Sequence, residues 1–124
     1  PLYTFYQPYH QSPLETPATI GRLACFGDAA LAPIGAPVVD VIALAKKDCE
    51  VGEALDGIGG FTVYGVMENS PQARAEDLLP QGMSDLCILT RAVAKDEPIR
   101  IADVERPTDS LAWKLWDEQV ERFA

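Results

Sequence analysis

The sequence predicts an α+β fold, short hairpins in the middle of the chain with helices on either flank, and three observations predict it. Two runs rich in β-branched residues, VVDVIALA from Val38 and FTVYGVM from Phe61, lie centrally. Helical spacing of apolar residues is confined to segments near the two ends and one short stretch between them. Ten prolines and nine glycines punctuate the chain, so no element runs long. With 124 residues, 48% of them hydrophobic, this is one domain's worth of polypeptide, able to form a core.

Residues 1–36 read as an extended segment, a short helix and a connection. Pro1, Pro8, Pro13 and Pro17 keep PLYTFYQPYHQSPLETP from being helical throughout. Thr16 before Pro17 offers a capping hydroxyl and then a residue with no N–H to satisfy; Ile20, Leu23 and Phe26 follow at helical spacing until Gly27, which predicts a helix over 17–26. The chain begins at Pro1 without a methionine, and Tyr3, Phe5, Tyr6 and Tyr9 crowd its start. So aromatic an N-terminus is expected to pack on something, with the chain's own core and an upstream region of a larger polypeptide as the two natural partners.

Residues 37–107 hold the hairpins. Val38 to Ala45 reads as a buried strand bounded by Pro37 and Lys46-Lys47, Gly52 marks a turn, and residues 61–67 form a second strand. Ser70-Pro71 opens a short helix to about Leu78, which Pro80 and Gly82 end. CILTRAV and IRIADV are strand-like, with a turn at KDEP between them. Residues 108–124 form an amphipathic helix, with Lys114, Asp117, Glu118 and Glu121 on one arc and Leu111, Leu115, Trp116, Val120 and Phe123 on the other. Trp113 and Trp116 make its apolar face unusually large, so it is expected to be buried against its own domain or to serve as an interface with a partner.

LAKKDCEVGEAL from Leu44 aligns with ILTRAVAKDEPI from Ile88 at an offset of 44 residues. Glu53 and Glu97 are identical, and Lys47/Arg91, Cys49/Val93 and Leu55/Ile99 match in character. Both copies follow a strand-like run, as two related hairpins would.

Composition excludes several classes of function. A net charge of −9 argues against a phosphate-backbone binder. No apolar run approaches a membrane span and no basic segment precedes an apolar one, so a soluble, cytoplasmic protein is expected. Cys25, Cys49 and Cys87 are never spaced as CxxC, and the one histidine, His10, rules out most triads and metal sites; no metal or catalytic residue is predicted.

The remaining candidates concern ligands. Gly57, Gly59 and Gly60 fail the dinucleotide fingerprint because Thr62 stands where a glycine is needed. They read as a turn or bulge, or as a loop in which Gly59 and Gly60 let a substrate approach the backbone. If the repeats pair about a pseudo-twofold axis, Lys47 and Arg91 become equivalent and face one sugar phosphate or carboxylate; otherwise they are ordinary solvated or paired cations. Arg22 and Arg74, on the short helices, are weaker candidates of the same kind. His10, beside Tyr6 and Tyr9, is a candidate for completing a site with an upstream region, or else a structural histidine.

The segments AKKDCEVGEAL and TRAVAKDEPIRIADV, with the closing Asp103-Val104, resemble the SAF domain, named for its sialic acid synthase, antifreeze protein and flagellar chaperone members. The likeness covers roughly 37–107 and implies a β-clip fold. Across nearly the whole chain, PLYTFYQPYHQSPLETP, LDGIGGFTVYG and LLPQGMSDLCILTRAVAKDE resemble the C-terminal part of homoserine-dehydrogenase-like NAD(P)-dependent oxidoreductases, including the deoxyxylulose-phosphate reductoisomerase-like enzymes. That resemblance implies an upstream Rossmann region of the same polypeptide that binds NAD(P), no cofactor in the present chain, and an accessory role shaping or capping the substrate site. A stand-alone module for a small anion, and a structural domain forming homo-oligomers, are the alternatives.

Overall fold

The computed structural model describes residues 4, 6, 12–29, 32 and 34–123. The chain divides into two compact units, Pro1–Gly35 and Ala36–Ala124. His10, Tyr3, Phe5 and Tyr9, singled out above, lie outside the described residues.

In the first unit, helix α1 spans Ser12–Phe26. It starts earlier than predicted, with Pro13 rather than Pro17 in its first turn, where a residue without an N–H costs no helical bond. Pro17 then sits inside, at the cost of one bond to the carbonyl four residues before it. The stop is as expected: Gly27 adopts a left-handed φ of 61°, and its N–H donates to Leu23 O at 3.0 Å. Arg22 pairs with Asp28 just beyond this cap.

The second unit is α+β, with two small antiparallel sheets. Strands β1 (Val39–Ala45) and β2 (Val63–Asn69) pair from Val39↔Asn69 to Ala45↔Val63. Helix α2 (Ser70–Ala75) follows β2 directly. Strands β3 (Ile88–Leu89) and β4 (Val104–Glu105) form the other sheet. Helix α3 (Leu111–Arg122) closes the chain, Ser110 Oγ accepting from Trp113 N at 3.4 Å as its cap.

Three predicted elements are shorter than expected. Helix α2 stops at Ala75 because Asp77 turns left-handed (φ 56°). Leu79 is then free to bridge two strand segments, accepting from Ala43 N and donating to Ile99 O, both at 2.8 Å. CILTRAV keeps only two strand residues before it bends toward Cys49. In IRIADV, residues 101–103 tighten into a 3₁₀ turn, Asp103 accepting from Arg100 N at 2.9 Å.

The 44-residue repeat is realised as a pseudo-twofold arrangement about Cys49 and Val93. Those two residues exchange backbone bonds in both directions, at 2.9 and 3.0 Å. Gly52 N donates to Leu89 O and Asp96 N to Ala45 O; Leu89 N donates to Glu53 O and Ala45 N to Glu97 O; Leu55 N donates to Cys87 O and Ile99 N to Ala43 O. Each bond has its counterpart one offset along. The bridges Ala54↔Ile88 and Leu44↔Pro98 repeat the relation, as do the positive φ values of Gly52 (83°) and Asp96 (66°).

The core obeys the same symmetry. Ala43, Ala45, Cys49 and Leu55 are buried together with their counterparts Cys87, Leu89, Val93 and Ile99. Val63, Leu79, Val104 and Trp113 complete the cluster.

Candidate functional site

The repeat brings Lys47 and Arg91 to equivalent positions and gives each a carboxylate of its own. In the first copy Lys47 Nζ lies 2.6 Å from Glu53 Oε1, while Glu53 Oε2 accepts from Glu50 N at 3.1 Å. In the second, Arg91 Nη2 lies 3.0 Å from Glu97 Oε1 and Glu97 Oε2 accepts from Ala94 N at 3.0 Å. The identical glutamate therefore clamps the turn in each copy, one oxygen on the turn's N–H and the other on the cation.

Arg91 carries a second partner. Its Nε and Nη2 donate to the two carboxylate oxygens of Asp103 at 2.7 and 2.8 Å, a parallel fork that ties β3's end to the turn before β4. The side-chain hydrogen bond from Arg91 holds the Asp103 carboxyl below the usual carboxylate range, against the opposing effect of burial. The turn N–H of Ala94, and next Arg91, lowers Glu97. The side-chain bond from Lys47, then the turn N–H of Glu50, lowers Glu53. Each cation is thus neutralised within its own repeat, and the shallow cavity beside Lys47 is lined by Asp48, Glu50 and Glu53.

The glycine loop is organised by a residue the sequence reading passed over, Asp56. Its carboxylate accepts from Phe61 N at 2.5 Å and from Thr62 N at 3.0 Å, and from the Thr62 hydroxyl. These bonds, that of Phe61 N foremost, push its pKa down to about 2. A Cβ on Gly60 would stand 2.2 Å from the Asp56 carboxyl, and Gly59 has a φ of 82°. The glycines are thus required by the loop's own closure. Lys46 Nζ donates to Gly60 O at 3.1 Å, fastening the loop from outside. An aspartate before a glycine cluster with Thr six positions on was the available signal.

The aromatic candidates separate. Tyr6 is exposed, and Trp113 is 5% exposed, spent on the core rather than offered to a partner. Arg106 lies 4.1 Å from the centroid of the Trp113 ring and pairs with Asp117 at 3.0 Å. Trp116 is half-buried against the core.

Cys49 and Cys87 are buried, and burial pushes both thiols up, so neither is a thiolate at neutral pH. Among the described residues no group of three or more His, Cys, Asp or Glu side chains is placed to hold a metal. Among the same residues no helix is long and apolar enough to cross a membrane.

No protein-family model matches the chain, and a search of curated proteins returns no match.

Proposed function

We propose that this chain is an SAF-like β-clip domain acting as the C-terminal accessory part of an NAD(P)-dependent oxidoreductase, where it shapes or caps the substrate site. The nicotinamide cofactor is held by a Rossmann region upstream in the same polypeptide, and hydride transfer takes place there. The observation that carries this reading is the reciprocal set of hydrogen bonds about Cys49 and Val93, a compact pairing of two bent hairpins of the kind the β-clip resemblance implies. The stand-alone anion module is weakened by the carboxylates that already engage Lys47 and Arg91.

The test is removal of residues 36–124 from the NAD(P)-binding polypeptide. Nicotinamide affinity, read by fluorescence, should change by less than about twofold, while kcat/KM for the carbonyl substrate falls by about tenfold or more. An unchanged kcat/KM would remove the accessory role. A clear rise in melting temperature of the 124-residue chain with a sugar phosphate, and none with NADPH, would favour the stand-alone binder.

A further inference from the structure

Strand β2 has an open outer edge. Ser70 N donates to Val38 O at 3.0 Å and Lys46 N to Thr62 O at 2.8 Å, so the bonded pairs of the β1–β2 ladder are Asp40/Glu68, Ile42/Val66 and Leu44/Tyr64. The residues between them turn their backbone groups the other way. On β1 those groups are used, Ala43 bonding to Leu79 and Ile99, and Ala45 to Asp96 and Glu97. On β2 the corresponding N–H and C=O groups of the exposed Gly65 and Met67 have no hydrogen-bond partner among the described residues.

An open edge normally carries a device that keeps other strands away, such as a lysine, a proline or a bulge. VYGVMEN has neither lysine nor proline, and its register with β1 is unbroken from end to end. Glu68 is its one charge. The surface beside the edge is apolar. Met67 is 77% exposed, with the exposed Val41 directly across the ladder and the exposed Val39 on the same face. Val66, on the opposite face, is exposed as well.

The spacing of the open groups selects the partner. Antiparallel pairing sets open residues opposite open residues, and Gly65 and Met67 stand symmetrically about Val66. The strand is therefore complementary to itself under a twofold rotation, the commonest symmetry of soluble oligomers. We propose that this edge is a dimer interface: β2 of a second copy adds to it antiparallel, Gly65 bonding to the partner's Met67, Met67 to the partner's Gly65, and Val66 lying beside the partner's Val66. Glu68 then faces the partner's Tyr64, so no like charges stand directly opposite each other. The two-stranded sheet becomes four-stranded, with Val39, Val41 and Met67 of both copies on one face. This goes beyond the accessory-domain reading and does not depend on it.

Sedimentation equilibrium of the 124-residue chain at high salt tests the interface. One strand edge buries less than the roughly 800 Å² per partner of a standard interface, so Kd should be on the order of 100 μM. Each copy carries a net charge of −9, and lowering the salt should weaken the dimer. Met67→Pro deletes an outward N–H that the fold itself does not use, and should weaken association by about tenfold or more. Val66→Lys, which sets two lysines face to face at the axis, should do the same, so the test survives if one variant does not fold. Leu115→Glu, on the exposed side of α3, should leave Kd within about twofold. Hydrogen exchange at the Gly65 and Met67 amides should slow as the dimer forms. Three results would overturn the interface: a monomer at every concentration up to about 1 mM, a dimer that the folded edge variants keep or that Leu115→Glu dissolves, or amides already protected in the monomer by another segment of the chain.

Discussion

Asp56 carries more of the loop that follows it than any of the three glycines. Its carboxylate takes two backbone N–H groups and a hydroxyl, and Gly60 is needed because a side chain there would evict that carboxylate. The folded-state pKa of about 2 lies below the ordinary 3.8. The stabilisation is therefore complete above about pH 4 and is lost as pH falls toward the folded value. Because the carboxylate is exposed, screening limits the effect to on the order of 1 kcal/mol. Asp56→Asn should accordingly melt below the wild type at pH 7, and the difference should close as pH approaches 2. Parallel melting curves across that range would show that the charge on Asp56 does not hold the loop.

At the scale of elements, the two repeat copies should respond alike. Leu55 and Ile99 are equivalent core positions, exposed by 2% and 0%. Truncating either to alanine should cost about 2–5 kcal/mol by urea unfolding, with the two losses similar because each side chain fills the same place in its half of the core. A loss confined to one of them would mean that the symmetry of the backbone does not extend to packing.

This duplication was legible in the sequence because its marks are local. A glutamate clamps a turn three residues back, and a buried side chain follows two positions later, so Glu53/Glu97 and Leu55/Ile99 keep their character. The ends of elements were less legible, since Pro13 and Pro17 both suit a first turn and only one can mark the start of α1. The short β3 and β4 were hidden in longer β-prone runs, because the bends that cut them are set by partners distant in sequence, Cys49 for Val93 and Arg91 for Asp103. The cavity lined by Ile42, Arg74, Ile101 and Trp116 draws its walls from β1, α2, the 3₁₀ turn and α3, and no spacing along the chain announces it.

At the scale of the whole molecule, the distribution of buried residues decides which part of the chain folds as a unit. Every residue of both core clusters falls between Ile42 and Trp116, inside the second compact unit. Ile20, Leu23 and Phe26 of α1, the three residues whose spacing marks that helix in the sequence, are 62%, 60% and 82% exposed. The apolar burial that drives cooperative folding thus belongs to residues 36–124, and α1 contributes propensity and caps but no side chain to those clusters. Deleting residues 1–35 should therefore leave one cooperative thermal transition, with Tm within about 4 °C of the full chain, a difference of roughly 1 kcal/mol for a protein of this size. Loss of the transition would place essential contacts in the first unit. Retention would show that residues 36–124 hold the cooperative core without α1.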